Sequence, residues 1–141
     1  MSRILCFDYG TKRIGIAVTD ELRIIASPLV TCDTYEIFNF VDQYISKHNI
    51  ELFLVGMPLD LRGKPTDATK LTKSFISSLS KKYPNINVDT YDERFTSKIA
   101  KDSLIELGKT KKYRRNKSNI DKISASIILQ SYLTRKKWFT L

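Results

Sequence analysis

A chain of 141 residues fits one domain and is long enough to bury a hydrophobic core without disulfides or a structural metal. Its 42% hydrophobic and 28% charged residues exclude a disordered or fibrous chain, and no apolar run approaches the ~18 residues of a membrane span. Twenty-four basic against 15 acidic residues leave a net charge of +9, which biases the partners towards polyanions: nucleic acid, ribosomal particles or an anionic membrane surface.

Residues 3–8, RILCFD, read as a buried strand and 13–19, RIGIAVT, as a second, joined by the turn YGTK as a hairpin. A third strand over 23–31 follows the polar turn TDEL, and Pro28 places it at a sheet edge or near a bulge. The period then changes. Ile37, Phe38, Val41, Tyr44 and Ile45 recur at helical spacing, with Asp33 or Thr34 as cap and Asn49 suited to a left-handed close. ELFLVG, 51–56, reads as a buried parallel strand that ends in a loop at Gly56 and Pro58. A second helix over 66–82 puts Leu71, Phe75, Ile76 and Leu79 on one face, and Pro84 ends it. Residues 86–91 form a fifth strand. A third helix follows over 96–107, with Ile99, Ala100, Leu104 and Leu107 inward and Gly108 as stop, and a last helix covers 119–135. This order predicts one α/β domain over residues 1–141. Its sheet is five-stranded and mixed, three antiparallel strands then parallel βαβ units, with helices on both faces.

Cys6 and Cys32 lie in apolar runs without a CxxC partner, which suits reduced buried thiols rather than zinc ligands. The opening MSRILCFDYG lacks the pattern of a signal peptide, and the expectation is a cytoplasmic protein.

Three acids stand out. Asp8 follows ILCF, where an ionised carboxylate costs several kcal/mol unless paired or metal-bound, and Gly10 beside it permits close approach or positive φ. Glu93 in YDERFTS falls just past the fifth strand, where α/β sheets place ligands; a helix-dipole role with Asp92, capped by Thr96 or Ser97, fits as well. Asp121 falls in the first turn of the last helix, behind candidate caps Ser118 and Asn119. It shares an apolar stripe with Ala125, Ile128 and Tyr132. Carboxylates suit a hard divalent cation, Mg2+ or Mn2+, and the lone His48 gives no zinc cluster. Residues 109–117, KTKKYRRNK, hold no acid. Lys111, Lys112, Arg114, Arg115 and Lys117 suit phosphates and Tyr113 a stacked base, although a solvated loop fits the same letters. In RKKWFTL the simpler reading is a tail that packs Trp138 and Phe139 on the domain.

FDYGTKRIGIAVTD, LVGMPLD, YDERFTS and IDKISASIILQSYL resemble, in that order, the motifs of the YqgF (RuvX-type) family over nearly the whole chain. The resemblance implies an RNase H-like fold with Asp8, Glu93 and Asp121 as catalytic, metal-binding acids. It also implies the family's roles: 5′-end processing of the 16S rRNA precursor, or resolution of Holliday junctions. Partners are then structured RNA or branched DNA, and ribosomal particles, with the protein a monomer or homodimer. Lys12 and Arg13 match the family's basic pair and are read as phosphate contacts. DLRGKPTDAT departs from the Gly-rich, acidic turn that family members often carry after GMPL, so no contact is carried over for that loop. Two other classes share features. Actin-like kinases open with a similar Asp-x-Gly-Thr turn but need two lobes to enclose ATP. A non-catalytic RNA-binding factor would share the charge, yet it gains nothing from acids that repel phosphate.

Overall fold

The computed structural model describes residues 1–96 and 117–139. Its strands are β1 (Arg3–Asp8), β2 (Arg13–Thr19), β3 (Ala26–Asp33), β4 (Ile50–Met57) and β5 (Asn87–Asp92). They form one sheet in the order β3-β2-β1-β4-β5. β1–β2 and β2–β3 are antiparallel, whereas β1–β4 and β4–β5 are parallel, as the strand order predicted. The described helices are α1 (Ile37–Lys47), α2 (Asp67–Lys82) and α3 (Lys117–Phe139). The third helix expected over 96–107 and the basic segment lie outside the described residues, apart from Thr96 and the backbone of Lys117.

Side chains alternate across a strand, so the sheet divides its apolar residues between two layers. Leu5, Phe7, Ile14, Ile16, Val18, Phe53 and Val55 pack with Ile37 and Val41 of α1 and Phe75 and Leu79 of α2. Ile4, Cys6, Ala17, Leu54 and Tyr91 pack with Ala125, Ile128, Leu129 and Tyr132 of α3. Helices therefore cover both faces, and α3 crosses β1, β2 and β3. Pro28 lies on the edge strand, where the β2–β3 register shifts between Ile16 and Ala17.

Several boundaries differ from those expected, each for a local reason. The third strand begins at Ala26, not residue 23, because the Asp20 carboxylate accepts from the N–H groups of Leu22, Ile24 and Ile25 and wraps that stretch into a loop. Arg23 takes φ 58° within it. Neither Asp33 nor Thr34 caps α1. The Thr34 hydroxyl donates to the Gly10 carbonyl at 2.6 Å, and a 3-10 turn over Thr34–Glu36 leads into the helix. Asn49 is not left-handed, since its carbonyl accepts from Arg3 N–H at 2.8 Å and enters the sheet region extended. Gly56 lies inside β4 rather than in the following loop. Thr66 caps α2 in a reciprocal capping box with Thr69. The α2 face that is buried runs through Thr69, Thr72, Phe75 and Leu79. Leu71 is 44% exposed, because it lies about 95° round the helix from the centre of that stripe. α3 continues through Trp138 and Phe139, so these residues end a helix rather than form a tail.

Phe75 is the keystone of the α2 layer. Its ring meets Phe7 edge-on at 5.5 Å and stacks on Tyr9, directly after Asp8, at 4.9 Å. Phe75→Ala is expected to cost about 3–5 kcal/mol in urea unfolding, whereas Leu71→Ala should stay within about 0.5 kcal/mol. Equal losses would mean that the buried stripe runs through Leu71 after all.

Candidate active site

Residue parity and register assemble the site. Asp8 is the last residue of β1 and shares the face of Ile4 and Cys6, towards α3. It pairs across the hairpin with Gly15 of β2. Phe7 pairs with Val55 on the other side, which leaves Gly56 as the next β4 residue beside Asp8. Gly56 in turn pairs with Tyr91, and Glu93 follows two residues later on the same side, at the start of a 3-10 turn. Both carboxylates thus reach one spot from the carboxyl ends of two parallel strands, where this class of sheet leaves a crevice.

Two glycines make the room. A Cβ on Gly56 would lie 2.7 Å from Glu93 Oε1 and 2.8 Å from Ile128 Cδ1, so only glycine lets Glu93 lie across β4 beneath α3. A Cβ on Gly15 would lie 2.0 Å from the Asp121 carbonyl oxygen, so the α3 backbone rests directly on β2 at the residue that carries the third acid. Gly10 supplies close approach, its Cβ position falling 2.4 Å from the Arg13 carbonyl, and its φ is not positive.

Asp8 is partly exposed as a residue, but protein atoms surround its carboxyl group. Burial pushes that carboxyl well above the usual range, helped by the Glu93 charge, a hydrogen bond to Glu93 and the Asp121 charge. Glu93 is raised by burial too, while its bond with Asp8 works the other way. The consistent assignment is a protonated Asp8 donating to an ionised Glu93, because two like charges this close resist joint ionisation. The buried Cys6 thiol is also pushed up, first by burial and then by both acids. Asp121 is held differently. It lies in the second turn of α3, not the first, and Arg13 Nε donates to its Oδ2 at 3.0 Å. Among the described residues no three His, Cys, Asp or Glu side chains are gathered tightly enough to hold a metal as they stand. The donor set nevertheless suits one. Two carboxyls forced together by burial, with a third in electrostatic reach, are relieved by a hard cation.

Beside Glu93, Arg94 makes a two-pronged contact with Asp92, its Nε lying 2.9 Å from Oδ2. Its guanidinium lies against Gly63, which has φ 81°. Gly63 belongs to the divergent loop. That loop closes on the Asp60 carboxylate, which accepts from Arg62 and Lys64 N–H groups, and on a bridge between Leu59 and Pro65. The loop is thus seated against the site, a placement its letters did not reveal. Lys12 is exposed in the hairpin turn. His48 lies against Tyr44 at the far end of α1, beside a groove of about 560 Å³ at the amino end of β4, away from the acids.

A model of the RuvX family, described as Holliday junction resolvase, matches residues 2–135. The chain belongs to the RuvX family. Relatives named "Putative pre-16S rRNA nuclease" include one from Amoebophilus asiaticus, 47% identical over 97% of both chains. One from Flavobacterium johnsoniae is 44% identical over 98% of this chain and 100% of its own. T. thermophilus RuvC, solved in complex with a Holliday junction substrate, superposes with a TM-score of 0.58 over 97% of each chain at 11% identity. That likeness is one of fold and bears out the RNase H-like reading.

The structure brings Asp8 and Glu93 into contact and carries Asp121 to their edge, bound to Arg13. Lys111, Lys112, Tyr113, Arg114 and Arg115 lie outside the described residues, as does the side chain of Lys117. Gly15, Gly56 and Arg94 were not singled out from the sequence. A glycine within a strand pattern is the signal that could have found the first two.

In metal-free buffer, Asp8→Asn should raise the thermal midpoint, by about 2–4 °C for each kcal/mol of relieved carboxyl burial. The sign follows from the raised pKa. The folded state disfavours ionised Asp8, so the carboxyl costs stability once pH exceeds its unfolded value, and an amide carries no such cost while still donating to Glu93. A lower midpoint would mean that the acid is satisfied without a cation. Gly15→Ala should destabilise the fold by about 1–3 kcal/mol and lower the same midpoint, because α3 must lift off β2. An unchanged melt would show that the helix has slack there.

Proposed function

We propose that this protein is a divalent-metal-dependent nuclease of one domain, residues 1–141, that hydrolyses phosphodiesters during 5′-end maturation of pre-16S rRNA in the cytoplasm. The observation that carries the reading is the buried Asp8–Glu93 pair on the crevice end of the sheet, with Asp121 at its edge. A solely structural role would not maintain such a destabilising pair. Asp8, Glu93 and Asp121 would hold Mg2+ or Mn2+, which when bound activates water and offsets charge on the phosphodiester. Glu93 lies across Gly56, beside Asp8, where it would help to orient the reacting phosphate. Lys12 and Arg13 flank the acids on the hairpin. Lys111, Lys112, Arg114, Arg115 and Lys117, with Tyr113 for a base, are assigned to substrate binding by charge and chemistry. The relatives' printed name supports pre-16S rRNA as substrate, and structured RNA on a ribosomal particle suits a net charge of +9.

The family's description favours a second reading, resolution of four-way DNA junctions. That reaction needs two matched sites and therefore a homodimer, whereas RNA trimming is open to a monomer. No described helix is long and apolar enough to cross a membrane.

The test is cleavage with Mg2+ or Mn2+ of a precursor rRNA fragment, a single-stranded DNA and a four-way junction. Wild type should cut the RNA in either metal. Asp8→Asn should lose at least about 100-fold in rate while binding as tightly or slightly tighter, since a charge that repels phosphate is gone. Preferred cutting of the junction by a dimer would select the second reading. Binding without cutting on every substrate, assembled ribosomal particles included, would leave a non-catalytic RNA-binding factor.

A further inference from the structure

Asp121 and Arg13 come together from positions 108 residues apart. Its backbone is pinned, because the Asp121 carbonyl lies where a Gly15 side chain would otherwise be. Gly15 has Asp8 as its cross-strand neighbour on β1 and Arg13 two residues before it on the same strand face. From that seat on Gly15 the short Asp121 side chain is bonded to Arg13 and is near enough to Asp8 for its charge to raise that carboxyl. It faces Arg13, with Nε to Oδ2 at 3.0 Å, and both side chains keep partial access to solvent, at 37% and 28%. Without a cation this is the favourable choice. A turn towards Asp8 and Glu93 would place a third carboxylate among acids already too close.

We propose that Arg13 is a positioning residue that latches Asp121 away from Asp8 and Glu93 in the metal-free protein. It is released to a substrate phosphate when Asp121 joins the other two acids on a divalent cation. The inference rests on the nuclease reading above and adds an order to it: metal loading and phosphate capture are linked through one side chain. Arg13 is suited to both partners, since its planar guanidinium bonds carboxylate and phosphate oxygens with similar geometry. Differential binding of this kind is what couples two ligands. The metal-free protein then carries one usable cation fewer towards nucleic acid than the loaded protein, because Arg13 is already neutralised.

Mn2+ titrated calorimetrically into wild type, Arg13→Gln and Asp121→Asn, without nucleic acid, tests the latch apart from catalysis. Arg13→Gln should bind Mn2+ about three- to tenfold tighter than wild type, as expected when a part-buried ion pair no longer competes. Asp121→Asn should bind it more weakly. A second readout is the salt dependence of binding to a single-stranded RNA, without metal and with Ca2+. The wild-type slope should steepen by about 0.7 in Ca2+, the contribution of one phosphate contact on a single strand, and Arg13→Gln should show no such change. Circular dichroism checks that each variant is folded. Should Arg13→Gln unfold, Arg13→Lys keeps the charge without the Nε donor and should tighten Mn2+ binding to a smaller extent. Equal or weaker Mn2+ affinity in folded Arg13 variants, with wild type binding normally, overturns the latch and leaves the nuclease reading standing. Failure of wild type to bind Mn2+ at all overturns both.

Discussion

Two carboxyl groups that would each prefer water are instead buried against one another at the crevice end of a sheet, and much of the local architecture serves that contact. Asp8 is delivered by the alternation of β1 and Glu93 by the turn after β5. Gly56 between them is bare so that Glu93 can lie across the strand. Burial raises Asp8, and the charge and hydrogen bond of Glu93 raise it further, so this carboxyl favours its protonated form. The site is an electrostatic cost built into a stable frame.

The frame can bear that cost because its other face is strongly apolar. Phe7, Phe53, Phe75 and Tyr83 form a connected ring cluster beneath α1 and α2. The Tyr83 hydroxyl is satisfied by Asp42 at 2.6 Å. On the α3 face the polar groups are paired in the same way, Tyr91 with Ser131 and Tyr132 with Asp89. The strain of like charge is therefore confined to the end of β1, and the remaining polar contacts around α3 stabilise its seat on the sheet.

The same layout sets what borders the acids. Among the described residues the acids lie at the carboxyl end of the parallel strands, beside the hairpin that carries Lys12 and Arg13 and the loop held by Arg94 against Gly63. The loop is braced by its own chemistry, since the Asp60 carboxylate accepts from the Arg62 and Lys64 N–H groups. It borders the site without borrowing a ligand from it.

The alternation of RILCFD and RIGIAVT, the apolar run LFLV and the helical spacing of 37–45 determined the order of elements, since hydrophobic period is a local property of the chain. The four motifs pointed to the acids by resemblance. Boundaries depended on contacts that no local pattern carries: Asp20 winding its own loop, the Thr34 hydroxyl drawn to Gly10 instead of a helix end, Asn49 recruited by Arg3. The Leu71 assignment failed because periodicity defines a stripe only to within a quarter turn, and the packing partner chooses its centre. Tertiary structure alone decided that Gly15 and Gly56 are contact points for α3 and Glu93, and that Arg13 faces Asp121 from 108 positions away. Distance in sequence carries no information about which side chains will share a crevice. That is fixed by strand register and by the crossing of a helix, and both exist only once the sheet has formed.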